Sequence, residues 1–257
     1  MIEIDMTMHP KDHMLTANKE AYLRTSRAGL KCVQNAISST DKQPETIRNI
    51  LDFGCGYGRV LRALRAGYPK ATITACDLME EATKFCADTF DAVPVRGYDD
   101  LTKIESIEKF DVIWVGSVFT HLPVERWEPL LNYFQKNLAP SGVLVFTIHG
   151  RTALWVFENH TLTKSHMNEK DFSKVKKNYK KSGYAFYKYP SRHVNSLSNM
   201  GIQVSKAAYG LSFTRPDWTC NYLLKFKDLF LSNYTEGGWG RNHDVVSLWL
   251  PPDPRDV

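Results

Sequence analysis

The sequence predicts an α/β fold, a doubly wound parallel sheet with helices on both faces. Three observations predict it. Short, nearly continuous apolar runs alternate with helical stretches five times between residues 47 and 150. Strands buried on both faces read in this way, and helical crossovers between parallel strands bring the layers together. The first strand empties into a Gly-rich turn, Asp52-Phe-Gly54-Cys-Gly56-Tyr-Gly58, that opens a helix. The chain of 257 residues is 43% hydrophobic and 24% charged, an ordinary globular balance that suits one large domain or two small ones.

The elements follow in order. Residues 14–39 read as a helix, with Leu15, Tyr22, Leu23, Leu30, Val33 and Ile37 recurring at one or two turns. After a linker holding Pro44, a strand is expected over 47–53 and a helix over 58–67, stopped by Gly67 and Pro69. A strand at 71–77 ends in an acid, a helix covers 78–90, and 93–96 is a weak strand. Residues 110–119 form a buried strand, 124–140 a helix stopped by Pro140, and 141–150 another strand. Beyond Pro216 a helix precedes strands at 228–235 and 243–251, with the turn EGGWGRN between them.

Composition excludes several classes. No apolar run approaches the roughly 18–20 residues that cross a bilayer. The N-terminal stretch lacks the basic start and apolar core of a secretion signal. Cys32, Cys55, Cys76, Cys86 and Cys220 are an odd set with no Cys-x-x-Cys pair, which argues against a disulfide framework and for the reducing cytoplasm. The net charge of +5 is local: residues 151–215 hold twelve Lys/Arg and three Asp/Glu. That argues against a general nucleic-acid coat.

Alternate glycines let a ligand approach the backbone and expose amides at a helix start. A dinucleotide site spaces them as G-x-G-x-x-G; here the third comes one residue early and Asp52 precedes the first. A carboxylate is a poor neighbour for pyrophosphate and a good one for a cationic amino-acid group. Asp77, 19 residues past Gly58 at the next strand end, is placed to accept ribose hydroxyls.

With ILDFGCGYGRVLRAL (50–64), ITACDL (73–78), FDVIWVGSVFTHL (110–122) and LAPSGVLVFTIHG (138–150), the chain resembles the class I S-adenosylmethionine-dependent methyltransferases. It is also similar to bacterial members with GCGxGR, SVFTHL, HG and late His-Asp-Val signatures. The resemblance implies a Rossmann-like seven-stranded sheet whose last strand, HDVVSLW, is antiparallel. It implies S-adenosyl-L-methionine as cofactor, with Asp52, Gly54 and Gly56 at its amino-acid end and Asp77 at the ribose. Leu78, Tyr98 and Asp99 would meet the adenine, and Ser117 would lie near the transferred methyl. It also implies an organisation into an N-terminal cap (1–46), a cofactor core (47–150), an inserted substrate lid (151–215) and a C-terminal helix and hairpin (216–257).

If the acceptor is a hydroxyl, a base must take its proton. His121, His149 and His243 all fall at the carboxyl edge of the expected sheet. The basic, aromatic insert suggests a small anionic acceptor, a phosphorylated or sugar-linked molecule, with Arg151, Arg192 and Arg215 as a bidentate clamp. The lysines between 174 and 181 read equally as a solvated helix face, and Tyr184, Phe186 and Tyr187 as ring-stacking groups or as core. The strand-four end lacks the Asn/Asp-Pro-Pro pattern of base-amine methylation and the acidic cluster of a divalent-metal site. The alternatives are an RNA or protein methyltransferase and a cofactor-binding scaffold without turnover. No DNA, metal or membrane partner is expected.

Overall fold

The computed structural model of the chain describes residues 3–15, 18–104, 108–159, 167–191 and 209–252. Seven strands form one sheet: β1 (Asn49–Phe53), β2 (Thr72–Asp77), β3 (Val93–Arg96), β4 (Phe110–Val115), β5 (Leu138–Ile148), β8 (Phe230–Trp239) and β9 (His243–Trp249). Their order is β3-β2-β1-β4-β5-β9-β8. The first five are parallel, and β9 runs antiparallel between β5 and β8. Strand order reverses beside β1, which pairs with β2 on one side and β4 on the other. A crevice opens there, beyond the strand ends, where open α/β sheets bind ligands.

Helices cover both faces. On one, α1 (Lys19–Ser38), α2 (Leu61–Gly67) and α3 (Glu80–Phe90) bury Val33, Ile37, Leu61 and Cys86 against Ile50, Ile73 and Trp114. On the other, α4 (Trp127–Asn137) and α7 (Pro216–Leu223) bury Trp127, Phe134 and Tyr222 against Ile113, Leu144 and Val246. The inner strand residues are wholly enclosed, as the continuous apolar runs require. Segment 151–191 supplies α5 (Arg151–Asn159), α6 (Glu169–Ser182) and β6 (Tyr184–Lys188), and β6 pairs with β7 (Gly210–Thr214) in a separate two-stranded ribbon. A third core joins them through Ala153, Val175, Tyr179, Ala185 and Phe213. The ring of Tyr184 stacks on Trp218, 5.1 Å between centroids.

Several boundaries differ from expectation. The first helix starts at Lys19, where the Asn18 side chain accepts the amide of Ala21 at 2.9 Å. Pro140 does not stop α4. The helix ends at Asn137, and Pro140 lies in a bulge that interrupts the β4–β5 ladder between Phe110 and Val112. An unpaired strand position tolerates the missing N–H. The run 110–119 leaves the sheet at Val115, and Phe119–His121 turn into a 3-10 helix. Strand β8 extends to Trp239, so the expected turn shrinks to residues 240–242. There Gly240 and Arg241 both take positive φ.

Two short signatures from the sequence meet in space. The backbone of Gly150 lies against Asp244: a Cβ on Gly150 would come within 1.8 Å of Asp244 Oδ2. That carboxylate cannot step aside, because Tyr234 donates to it at 2.8 Å and the Gly237 amide at 2.9 Å. Gly150→Ala is therefore expected to cost about 1–3 kcal/mol, read as a lower urea midpoint at unchanged slope.

Candidate active site

The crevice at the switch point is a cavity of about 1290 Å³. Its floor is the turn after β1. Gly54, Gly56 and Gly58 all take positive φ, at +78°, +51° and +74°, which only glycine adopts freely. Gly54 bonds back to the carbonyl of Cys76 at 2.7 Å. A Cβ on Gly56 would meet nothing within 4 Å, so the loop presents bare backbone to open space. Asp77 tethers the turn: its carboxylate accepts the amides of Gly56 at 2.8 Å and Met79 at 2.9 Å. Burial raises the Asp77 pKa and these bonds hold it down. Two amides leave lone pairs for further donors.

Asp52, at 2% exposure, contrasts with it. Its Oδ2 has no hydrogen-bond partner. Burial, with the Asp77 carboxylate nearby, pushes the Asp52 carboxyl up to about 8 against the pull of Arg59. An enclosed acid without a partner marks a place for a cation.

All eight residues expected at a cofactor line this cavity: Asp52, Gly54, Gly56, Asp77, Leu78, Tyr98, Asp99 and Ser117. Arg126 fixes Asp99 at 2.6 Å, and the Arg96 guanidinium lies 5.3 Å from the Tyr98 ring centroid. Ser117 holds a left-handed φ of +63°, an uncommon conformation for this residue. Three bonds hold it: its amide donates to Thr147 Oγ1 (2.8 Å), its carbonyl accepts Thr120 Oγ1 (2.6 Å), and its hydroxyl contacts His243 Nε2 (3.2 Å).

The three histidines cluster, but only His121 lines the cavity. His149 lies 5.0 Å from His243 and 6.4 Å from His121, centroid to centroid. Burial, then the neighbouring imidazoles, holds His149 well below the ordinary range and His243 down at about 3. Both are neutral at physiological pH. The ribbon seats His121: its Nδ1 lies 2.9 Å from the Gly210 carbonyl, Ser212 donates to the Leu122 carbonyl, and the Val124 amide donates to Tyr184 Oη. A carbonyl only accepts, so Nδ1 carries a proton, and in the neutral imidazole the lone pair is on Nε2. Tyr209 stacks on the same imidazole at 5.0 Å and lines the cavity.

The expected arginine clamp is not assembled among the described residues. Arg151 closes on Glu236, and Arg215 on Asp217 at 2.7 Å, both away from the cavity. Arg192 lies outside the described residues. None of the lysines of α6 lines the cavity; Lys174 pairs with Asp171 and Lys176 with Glu158.

Sequence reasoning missed Arg59, Trp239, Tyr209, Arg126 and the segment Asp12–Met14, which also line the cavity. The N-terminal segment is strapped across the Gly-rich turn. Buried Arg62 donates to the carbonyls of Asp5 (3.0 Å) and Thr7 (2.8 Å), His9 stacks on Tyr57 at 4.3 Å, and Tyr22 donates to Asp12 at 2.6 Å. A Trp in the Gly-rich stretch 236–240 was the one legible signal, since a solvated turn has no use for an indole.

The methyltransferase-domain family matches residues 51–144. The malonyl-[acyl-carrier protein] O-methyltransferase of Bacillus anthracis is 29% identical over 189 residues, covering 72% of this chain and 67% of that protein. The Halalkalibacterium halodurans protein of the same name is 32% identical over 113 residues, 40% of each chain. The matched portion of the other curated relatives is 41–63% of their length. Among solved structures, the plantazolicin methyltransferase BpumL superposes with a TM-score of 0.54 at 15% identity, covering 91% of this chain and 86% of that one. The methyltransferase-domain match, these relatives and the seven-stranded sheet support a class I S-adenosylmethionine-dependent methyltransferase. The cofactor of this methyltransferase is S-adenosylmethionine, and the site has room for it: Gly56 leaves its backbone bare and Asp52 keeps a buried carboxylate oxygen without a hydrogen-bond partner. Among the described residues no helix is long and apolar enough to cross a membrane.

Neutral buried imidazoles give the methyltransferase an acid limit. A His whose folded pKa is depressed binds its proton only on unfolding, so its stability contribution is complete above about pH 6.5 and is lost as pH falls. Each such imidazole is expected to cost about 1.4 kcal/mol per pH unit below 6.5, continuing toward pH 3 for His243. Thermal unfolding of wild type and His243→Asn between pH 7 and 5 should show the variant with the shallower slope.

Proposed function

We propose that this methyltransferase moves the methyl group of S-adenosylmethionine to an oxygen of a small acceptor seated between Ser117, His121 and Tyr209. His121 carries the reading. Of the three clustered histidines it is the one at the cavity wall, and its Nδ1–H is spent on the Gly210 carbonyl, which in the neutral imidazole leaves the lone pair on Nε2 as the proton acceptor. The relatives, named for O-methylation of malonyl-[acyl-carrier protein], support oxygen as the acceptor atom and suit a carboxyl or hydroxyl group.

Bound S-adenosylmethionine supplies an electrophilic methyl on a positively charged sulfur. The protein's share is placement and electrostatics. Asp77 accepts the ribose hydroxyls on the lone pairs its amide donors leave, and Asp52 receives the ammonium group. Leu78, Tyr98 and Asp99 border the adenine. Ser117, held in its left-handed turn, would border the end of the cavity where the acceptor is brought to the methyl group, so its share is placement. His121 accepts the O–H of the acceptor and takes its proton as the new O–C bond forms. His149 and His243, kept neutral by burial, put no like charge beside the sulfonium. The ribbon β6–β7 closes the acceptor side through Tyr209 and Gly210. The acceptor's charge is not assigned to Arg151 or Arg215, which are occupied elsewhere.

Two variants test this reading. Asp77→Ala is expected to weaken S-adenosylmethionine and S-adenosylhomocysteine about 10- to 100-fold in calorimetric titration, the worth of charge-assisted hydrogen bonds. His121→Asn keeps a donor for the Gly210 carbonyl and removes the lone pair. Its kcat on an oxygen acceptor is expected to fall about 10²- to 10⁴-fold with cofactor affinity within twofold of wild type. A panel of carboxyl, hydroxyl and amine acceptors, read by S-adenosylhomocysteine release, completes the test. Turnover of amines alone, or full activity in His121→Asn, would overturn it.

A further inference from the structure

Of the connections between the parallel strands, three carry a helix: α2 between β1 and β2, α3 between β2 and β3, and α4 between β4 and β5. The one from β3 to β4 has only the 3-10 turn Leu101–Lys103 among its described residues. Yet it crosses β2 and β1 to reach its strand. A 3-10 turn is a short piece and covers less of a sheet face than a helix does. Leu101 and Ile104 pack on the same face as α4, and the cavity runs on between them and that helix. Past Tyr98 and Asp99 it is walled by Leu101 and Ile104 on one side and by Leu130 and Tyr133 on the other, over Phe53 and Cys76. It reaches exposed Asn132 and Lys136 on α4, so this end opens to solvent. The whole cavity, about 1290 Å³, exceeds the roughly 300–1,000 Å³ of a site for one drug-sized ligand.

The covalent structure of a nucleoside decides which of its edges faces this compartment. Adenine is joined to ribose through N9, and the opposite edge carries the 6-amino group. With the ribose at Asp77 and the ring beside Leu78 and Tyr98, that edge looks toward Leu101 and Leu130. Both acids of the loop are engaged elsewhere. Arg126 donates to the Asp99 carboxylate at 2.6 Å and to its carbonyl at 2.7 Å. Asp100 accepts the hydroxyl of Thr102 at 2.7 Å and its amide at 3.1 Å. A pocket closed around adenine rejects added bulk, because packed interiors yield little. This one has apolar walls and an outlet.

We propose that the adenine end of the site is open at the 6-amino edge and accepts a cofactor bearing an apolar ring on that nitrogen, with Leu101 and Leu130 setting the size it admits. The inference rests on S-adenosylmethionine as cofactor and on Asp77 as its ribose partner, and extends that reading to cofactor specificity. The added ring leaves water for apolar side chains, which favours binding in proportion to the area covered. It lies at the opposite end of the nucleoside from the sulfur, away from the reacting atoms.

Calorimetric titration tests this without an acceptor. The ligands are S-adenosylhomocysteine, its N6-benzyl derivative, and its 2′-O-benzyl derivative, whose equal bulk falls at Asp77. Wild type is expected to bind the N6-benzyl compound as tightly as the parent, or up to about tenfold more tightly. The 2′-O-benzyl compound is expected to bind about 10- to 100-fold more weakly, having lost a hydrogen bond to a charged group. Leu101→Trp narrows the compartment. It is expected to lose about 10- to 100-fold for the N6-benzyl compound with the parent's affinity within twofold of wild type, which shows the variant folded. Binding of the N6-benzyl compound more than tenfold weaker than the parent in wild type would overturn the proposal, and that comparison needs no variant. Unchanged N6-benzyl binding in Leu101→Trp, or equal loss of both ligands, would overturn the role of Leu101. Full affinity for the 2′-O-benzyl compound would instead remove Asp77 as the ribose partner, and failure of wild type to bind S-adenosylhomocysteine at all would remove the cofactor assignment.

Discussion

Everything at the site depends on the reversal of strand order beside β1. Because β2 and β4 flank the same strand, the connections leave on opposite faces of the sheet and a crevice opens at the strand ends between them. The Gly-rich turn, Asp77, Ser117 and His121 all leave the sheet along that carboxyl edge. The antiparallel β9 adds a different contribution. Running opposite to β5, it delivers its first residue, His243, to the edge where the parallel strands deliver their last. One topological rule and one exception to it thus gather groups from four strands.

Within that frame, charge is handled by exclusion as much as by pairing. Arg62, Arg151, Arg215 and Arg126 are each committed to carbonyls or carboxylates. Asp52 and Arg59 are not, and both look into the cavity. Two histidines behind the wall are denied protons by burial. The electrostatic character of the cavity therefore comes from a few charged groups left without partners at its wall, as functional sites tend to do.

The sheet was legible because buried parallel strands write themselves as continuous apolar runs, as in FDVIWV and VLVFTI. The cofactor edge was legible because left-handed backbone demands glycine at 54, 56 and 58. What escaped was whatever depends on long-range partners. Arg59 and Arg62 sit three residues apart in one helical opening and read alike, yet Arg62 is tied to the N-terminal segment and Arg59 lies over the ring of Trp239. Arg151 and Arg215 look like clamp residues until Glu236 and Asp217 are seen beside them. Pro140 is an ordinary helix stop in sequence; that it occupies a bulge follows only from the partner strand. Gly150 and Asp244 are 94 residues apart, so neither signature explains itself.

The placement of Trp239 has a consequence for how the protein folds. It sits between Thr25 of α1, Trp114 of β4 and the cavity, while Cys32 of α1 reaches the carbonyl of Gly238. The amino-acid end of the crevice is therefore completed by contacts more than 200 residues apart in the chain. Such contacts form late, because closing a long loop is opposed by chain entropy until most of the sheet is in place. A ligand that engages this end binds only molecules that have finished folding, and so draws the population toward completion by mass action.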